Sequence, residues 1–291
     1  MKIIKYIFES IFFYILFFLV RIFGLNIGRK ICSFLLLKIG RLFRSKKLIK
    51  ENIFNALGKI SDEEAENIIT SMWKNYGYIL AEYIHLDKFR LNKFPKTHIR
   101  IVGKEILDEV IKSKKPVIFV SGHFGSFELM AMELEKYKIN LAAIYRPLNN
   151  IFLNPFMIFL RKKYICKNQI EKGLAGTRKA IEYIKKNYSI ALMVDQRLGE
   201  SGRYPFFNKT AHTTTLPAQL ALKFNCKIIP IYFERKKDNL FEMEVIKPIE
   251  FNKTDNLEED KKNITIKINQ IIEKMILKNP KQWIWTHGRW K

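Results

Sequence analysis

Four short, nearly continuous apolar runs mark the middle of the chain: PVIFVSGH from Pro116, NLAAIYRP from Asn140, SIALMVDQ from Ser189 and KIIPIYFER from Lys227. Strands that lose both faces to protein read this way, whereas a strand with one wet face alternates. Between the runs the spacing turns helical, over Phe127 to Tyr137, Phe152 to Lys163, Leu174 to Lys186 and Thr214 to Phe224. Strand and helix in alternation predict an α/β fold, a layered α-β-α domain around a mainly parallel sheet. FEMEVIKPIEF, from Phe241, alternates and predicts an edge strand, and Asp255 to Asn279 predicts a long charged helix. Residues 50 to 95 read as helical, with Ser61 before three acidic residues as an N-cap.

A different pattern opens the chain. From Ile3 to Leu25 the sequence IIKYIFESIFFYILFFLVRIFGL is interrupted only by Lys5, Glu9 and Arg21. As a helix it extends on the order of 35 Å, enough to cross a hydrocarbon core. No small-residue cleavage site follows it, which argues against a removable signal. Nine cations and no acid lie between Arg21 and Lys50, against Lys2 and Lys5 on the other side. That asymmetry predicts a body on the cytoplasmic side. The next stretch, RKICSFLLLKIGRLFRS, gathers Lys30, Lys38, Arg41 and Arg44 on one helical face and leaves a leucine and phenylalanine face. It predicts a second helix lying in the membrane interface. The expected organisation is a membrane-anchoring region over 1–50 and a catalytic domain over 51–291.

The formal charge of +24 on 291 residues changes the range of partners. It favours something anionic: nucleic acid, a phospholipid surface or an acidic protein. None of the usual nucleic-acid motifs is present. Cys32, Cys166 and Cys226 are far apart and form no CxxC pair, so neither a zinc knuckle nor a disulfide framework is suggested.

Candidate chemistry concentrates in SGHFGSFELM, residues 121–130. A histidine at the carboxyl end of a strand stands where open α/β sheets place their ligands. Gly122 and Gly125 flank His123, and Glu128 follows five positions later. On one continuous helix those five residues turn through roughly 500°, so His123 and Glu128 meet only if His123 lies in the turn and Glu128 opens the helix. A carboxylate on one imidazole nitrogen fixes the tautomer and frees the other nitrogen to take a proton, which a substrate hydroxyl could supply. Arg146 and Asp195 each follow an apolar run: a guanidinium there can hold a phosphate or an oxyanion, and a carboxylate can act at the site or cap the next loop.

Gly-flanked His123 with Glu128, in a basic chain with an apolar N-terminus, resembles the H-x4-D/E acyltransferases, and specifically the lipid A late (secondary) acyltransferase family. YRPLNN at 145–150, ALMVDQ at 191–196, PFFNKTAHTTTLPAQLA at 205–221 and QWIWTHGRWK at 282–291 agree with that family in order and spacing, over roughly the whole chain. The resemblance implies a glycerol-phosphate acyltransferase-like fold with an N-terminal membrane-anchoring helix. It further implies transfer of a fatty acyl chain from acyl carrier protein to a hydroxyl of a lipid A precursor, at the cytoplasmic face of a Gram-negative inner membrane, with no cofactor and no metal. Its partners would be acyl carrier protein, the lipid A precursor and anionic lipids of that membrane, with no nucleic acid.

Carried over residue by residue, the general base is His123 with Glu128 behind it, Arg146 belongs to substrate binding or the oxyanion, and Asp195 and Gln196 are a recurring pair at the site whose role stays open. Two positions depart from the pattern. Asn208 and Leu216 stand where the family usually has glycine; Asn tolerates a positive φ, while Leu216 could alter an acyl pocket. Trp283, Trp285, His287, Arg289 and Trp290 at the terminus read either as an interfacial aromatic patch or as a tail packed on the core. The rival readings are an acyltransferase for lysophosphatidic acid or another membrane glycolipid, and a non-catalytic basic membrane adaptor.

Overall fold

The computed structural model describes residues 2–197 and 202–290, apart from the side chains of Arg41 and Phe43. Its centre is a seven-stranded sheet in the order β1-β9-β8-β2-β5-β3-β4. The strands are β1 (Ile99–Val102), β2 (Ile118–Ser121), β3 (Leu141–Tyr145), β4 (Asn168–Glu171), β5 (Ser189–Met193), β8 (Ile228–Arg235) and β9 (Phe241–Val245). All neighbours are parallel except β8 and β9, which form an antiparallel pair. The four apolar runs became β2, β5, β3 and β8, and the sheet is mainly parallel as their pattern predicts. A separate antiparallel hairpin joins β6 (Gly202–Phe206) to β7 (Lys209–Thr213). Phe207 and Asn208 turn it at φ +51° and +57°, so Asn208 does occupy a backbone conformation that glycine takes most readily.

Successive strand residues serve opposite layers. Ile118 and Val120 enter a core shared with α8 (Leu174–Lys185), α9 (Leu216–Phe224) and α10 (Leu257–Lys278). Phe119 faces a second core with α5 (Lys104–Ser113) and α6 (Glu128–Lys136). Ser61 caps α3 (Asp62–Ile84) as expected, its Oγ accepting from Glu64 N at 3.0 Å.

Two expectations change, and one open alternative is decided. The alternating strand β9 is not an edge: β1 lies outside it in parallel register, Ile99 against Phe241. A four-residue strand closing onto a segment some 140 positions away leaves no local signal. The two N-terminal segments are two helical stretches, together written α1 (Lys2–Phe43), that meet in a kink at Gly24, where φ is +78° and ψ 172° and the backbone is not helical. Its second half does not lay its leucine face on lipid, because Leu35, Leu36 and Leu37 pack against the protein core. Lys30, Lys38 and Arg44 are exposed, and the Arg41 side chain lies outside the described residues. The reason is a close crossing with α3: a Cβ built on Gly77 would stand 2.3 Å from Ser33 Cα. Finally, the tryptophan-rich terminus is a packed tail. Trp283, Trp285 and Arg289 are buried, and Asn52 Nδ2 ties the tail down through the carbonyls of Trp285 (2.7 Å) and His287 (2.8 Å).

Gly77→Ala places a methyl into helix backbone that has nowhere to go. In place of the usual gain from alanine in a helix, we expect a loss of about 1–3 kcal/mol. Thermal unfolding of the purified variant checks this, and an unchanged or raised Tm would contradict the close crossing.

Candidate active site

The site follows from strand register. β2 and β5 are parallel neighbours with Ser121 opposite Met193. Two residues beyond each lie His123 and Asp195, so the sheet delivers both side chains to the same strand-end crevice. Asp195 Oδ1 stands 2.7 Å from His123 Nδ1, and Asp195 Oδ2 accepts from His123 N at 2.8 Å and from Trp283 Nε1 at 2.7 Å. A carboxylate only accepts, so Nδ1 carries the proton and Nε2 is left as the basic nitrogen. Asp195 is almost wholly buried, its side chain 1% exposed. Burial pushes its carboxyl up, but the charge of His123 and the three hydrogen bonds outweigh that and hold it well below the usual carboxylate range. Its folded value is depressed, so this stabilisation is fully present above the unfolded pKa and is lost progressively as pH falls from there through the folded one.

Glu128 takes a different partner from the one its spacing suggests. It opens α6, and His123 lies in the preceding turn, as a meeting of the two would require. The carboxylate nevertheless binds Arg161, with Nε donating to Oε1 at 3.1 Å and Nη2 to the same oxygen at 2.5 Å. Arg161 sits on the turn of π-helix Arg161–Ile165, also against the ring of Tyr145 at 5.2 Å. A largely buried guanidinium needs a carboxylate, and Glu128 supplies it. The imidazole partner is therefore Asp195 and not Glu128.

The turn between them is held rigidly. Gly125 adopts φ +48°, and a Cβ on it would press on Phe233 O and Arg235 N at 3.1 and 3.2 Å. Its N donates to Gln282 O at 3.3 Å and its O accepts from Asn75 Nδ2 at 3.4 Å. Asn75 in turn accepts from Arg235 Nε at 3.3 Å, and Arg235 Nη2 donates to Glu82 Oε2 at 2.9 Å. Arg29 of α1 completes the cluster, donating from Nε to Glu82 Oε1 at 2.8 Å. Burial raises the Glu82 carboxyl, yet the two guanidiniums lower it overall. At Gly122 a Cβ would come within 2.6 Å of the Phe124 ring and 3.3 Å of Asp195 Cγ.

His123 and Glu128 open onto a cavity of about 660 Å³. Met130, Ala131, Ala143 and Leu192 make its walls apolar, and Leu216 lines it too, so that departure from the family pattern does reach the pocket. Arg146, Lys172 and Gln196 bring polar groups to the same space. Burial and the charge of Arg146 lower the Lys172 pKa. Among the described residues no cluster of three or more His, Cys, Asp or Glu is placed to hold a metal. All three cysteines are buried thiols, and none lines the cavity.

The sheet thus brings together His123, Asp195, Glu128, Arg146, Gln196 and the two glycines. Sequence reading missed Arg161 and Trp283 as their supports. Arg161 lies in an unremarkable basic stretch, and nothing local links Trp283 to a carboxylate 88 positions away.

A carboxylate-held imidazole opening onto a cavity with apolar walls and a few polar groups, at the strand ends of an α/β sheet, suits acyl transfer to a hydroxyl. The chain belongs to the family of bacterial lipid A biosynthesis acyltransferases, which it matches over residues 2–291. It is similar to the lipid A biosynthesis lauroyltransferase of Escherichia coli (strain K12), 24% identical over 251 residues, covering 85% of this chain and 79% of that protein. The palmitoleoyltransferase of lipid A biosynthesis from the same strain is 24% identical over 253 residues, covering 86% and 80%. A lipid A biosynthesis acyltransferase of Haemophilus influenzae is 25% identical over 260 residues, covering 88% and 79%.

Two predictions follow from the site. Asp195→Asn leaves an amide that can present either end to Nδ1, and should lower kcat by on the order of 10³ to 10⁴ with KM little changed. Glu128→Gln should act mainly on folding by stranding Arg161. Steady-state kinetics beside thermal unfolding separates them, and equal loss of kcat in both would contradict the pairing. The second concerns His287, which burial and the charge of His123 hold at about 4, below its ordinary 6.5. Between those values the unfolded chain binds a proton that the folded one refuses, so stability falls as pH drops from 6.5 toward 4. His287→Gln should flatten that part of the stability curve, as followed by denaturant unfolding at pH 7, 6 and 5.

Proposed function

We propose that this enzyme transfers a fatty acyl chain from an acyl carrier protein thioester to a hydroxyl of a lipid A precursor at the cytoplasmic face of the inner membrane. The observation that carries the reading is the 2.7 Å contact of His123 Nδ1 with buried Asp195 beside an apolar cavity. His123 Nε2 takes the proton of the acceptor hydroxyl as its oxygen attacks the thioester carbonyl. The tetrahedral oxyanion collapses, the carbon–sulfur bond breaks, and the carrier thiolate leaves with the proton returned by the imidazolium. Asp195 stabilises the imidazolium in between.

Arg146 serves the oxyanion or a substrate phosphate, and pairs with no acidic residue among those described. The N-terminus of α6 supports developing negative charge near the same place. Gly122 and Gly125 shape the backbone around the reacting atoms, and Gln196 meets substrate from the β5 side. The cavity walls receive the acyl chain. A net charge of +24 favours encounter with an acidic carrier, a phosphorylated acceptor and the anionic surface of the cytoplasmic leaflet.

Purified protein supplied with a panel of carrier-bound acyl chains, lipid A precursors and lysophosphatidic acid, read by mass spectrometry, tests the proposal. We expect one acyl chain added to the lipid A precursor, with His123→Ala lowering the rate by at least about 10³ and leaving the fold intact. An active, well-folded His123→Ala, or transfer to lysophosphatidic acid alone, would overturn it.

A further inference from the structure

α1 is long and apolar enough to cross a bilayer, yet it is bound sideways to the catalytic body along the same stretch. Ser10 Oγ donates to Asn150 Oδ1 at 3.0 Å, and Asn150 Nδ2 donates to Tyr6 O at 2.9 Å. Tyr14 OH donates to Phe152 O at 2.9 Å, and the rings of Tyr14 and Phe17 lie against Phe156 at 5.7 and 6.0 Å. Eleven residues further on, Arg21 pairs with Asp87 at 2.7 Å, and His85 Nε2 donates to Val20 O at 3.1 Å. Ser10 and Arg21 are roughly 16 Å apart along the helix, about half a hydrocarbon core. Both ends of that interval are fastened to the same body.

A spanning helix would therefore drag the Asn150–Phe156 segment and the Arg21–Asp87 pair to different depths of the hydrocarbon, where charged and hydrogen-bonding groups are costly. Laid in the plane of the interface, the same bonds stay at one depth. The opposite side of α1 is then free for lipid: Ile4, Phe8, Ile11, Ile15 and Phe18 are all exposed. That apolar face continues onto the body beside the docked helix, where Ile151 is 60%, Phe152 41% and Phe159 53% exposed. Lys162 and Lys163 stand next to it, Lys163 Nζ 5.1 Å from the Phe159 ring, placed for anionic head groups.

We propose that the protein lies in one leaflet of an anionic bilayer, with α1 in the membrane plane and Ile151, Phe152 and Phe159 of the catalytic body inserted beside it. This attachment rests on reading the chain as a membrane enzyme of lipid A biosynthesis, but not on its donor or acceptor.

Phe8→Cys, Phe18→Cys and Phe152→Cys, each in the full chain, accept a fluorescent thiol probe selectively because the native cysteines are buried. In phosphatidylglycerol–phosphatidylethanolamine vesicles carrying nitroxide lipids at shallow or deep positions, all three probes should be quenched most by the shallow nitroxide. Phe8 and Phe18 at depths about 15 Å apart, the axial length of ten residues, or a Phe152 probe that no nitroxide quenches, would overturn the proposal. Phe152→Glu should weaken vesicle binding at least tenfold while Val102→Glu, at the far sheet edge, leaves it unchanged; equal effects of the two would also overturn it. Because these readouts report position and not transfer, an inactive protein lying in plane would sink the proposed function alone.

Discussion

The hydrogen bond between His123 and Asp195 is the contact on which the proposed chemistry depends, and nearly every long-range feature near it serves to fix it. Parallel pairing of β2 with β5 sets the two residues side by side. A bare carboxylate buried there would be costly, and would protonate before it oriented anything. Two donors from His123 and one from Trp283 keep it ionised. The C-terminal tail is therefore part of the candidate site: it supplies the indole to Asp195, and Gln282 next to it binds Gly125 in the turn that carries the histidine.

A second buried charge cluster makes the same turn rigid from behind. Glu82 joins Arg29 of α1 to Arg235 at the end of β8, and Asn75 passes that order on to Gly125. Buried ion pairs contribute little net stability compared with apolar packing, so their value here is geometric. They align three separately encoded elements within hydrogen-bond tolerance of one another. The amino-terminal helix is thus connected from Arg29 to the turn that carries His123 through Glu82, Arg235 and Asn75, and the anchoring surface and the candidate site belong to one rigid unit.

Much of the fold was legible because burial on both faces leaves a local trace. β2, β3, β5 and β8 are continuous apolar runs, and their intervening helices keep helical spacing; Ser61 announced its cap. Short strands without such runs, β1 and β4, left nothing to read, and missing β1 made β9 look like an edge. At the site, local proximity misled. Glu128 is five residues from His123, whereas Asp195 is 72 away and reaches it only through strand order, which a single sequence does not display. The DQ pair was recognised as belonging to the site, but its role required the sheet. Arg161 was the hidden competitor: a largely buried cation claims the nearer carboxylate. The tryptophans of the tail could equally have faced lipid, and only the cores they fill decide the matter.

The central claim is that Asp195 fixes the histidine tautomer, and long-range proton–nitrogen correlation spectra of nitrogen-15 imidazole-labelled protein read that tautomer directly. The account predicts that neutral His123 carries its proton on Nδ1, that Asp195→Asn abolishes this preference, and that a folded Glu128→Gln keeps it. A proton on Nε2 in the native protein, or a tautomer that follows Glu128 and ignores Asp195, would contradict it.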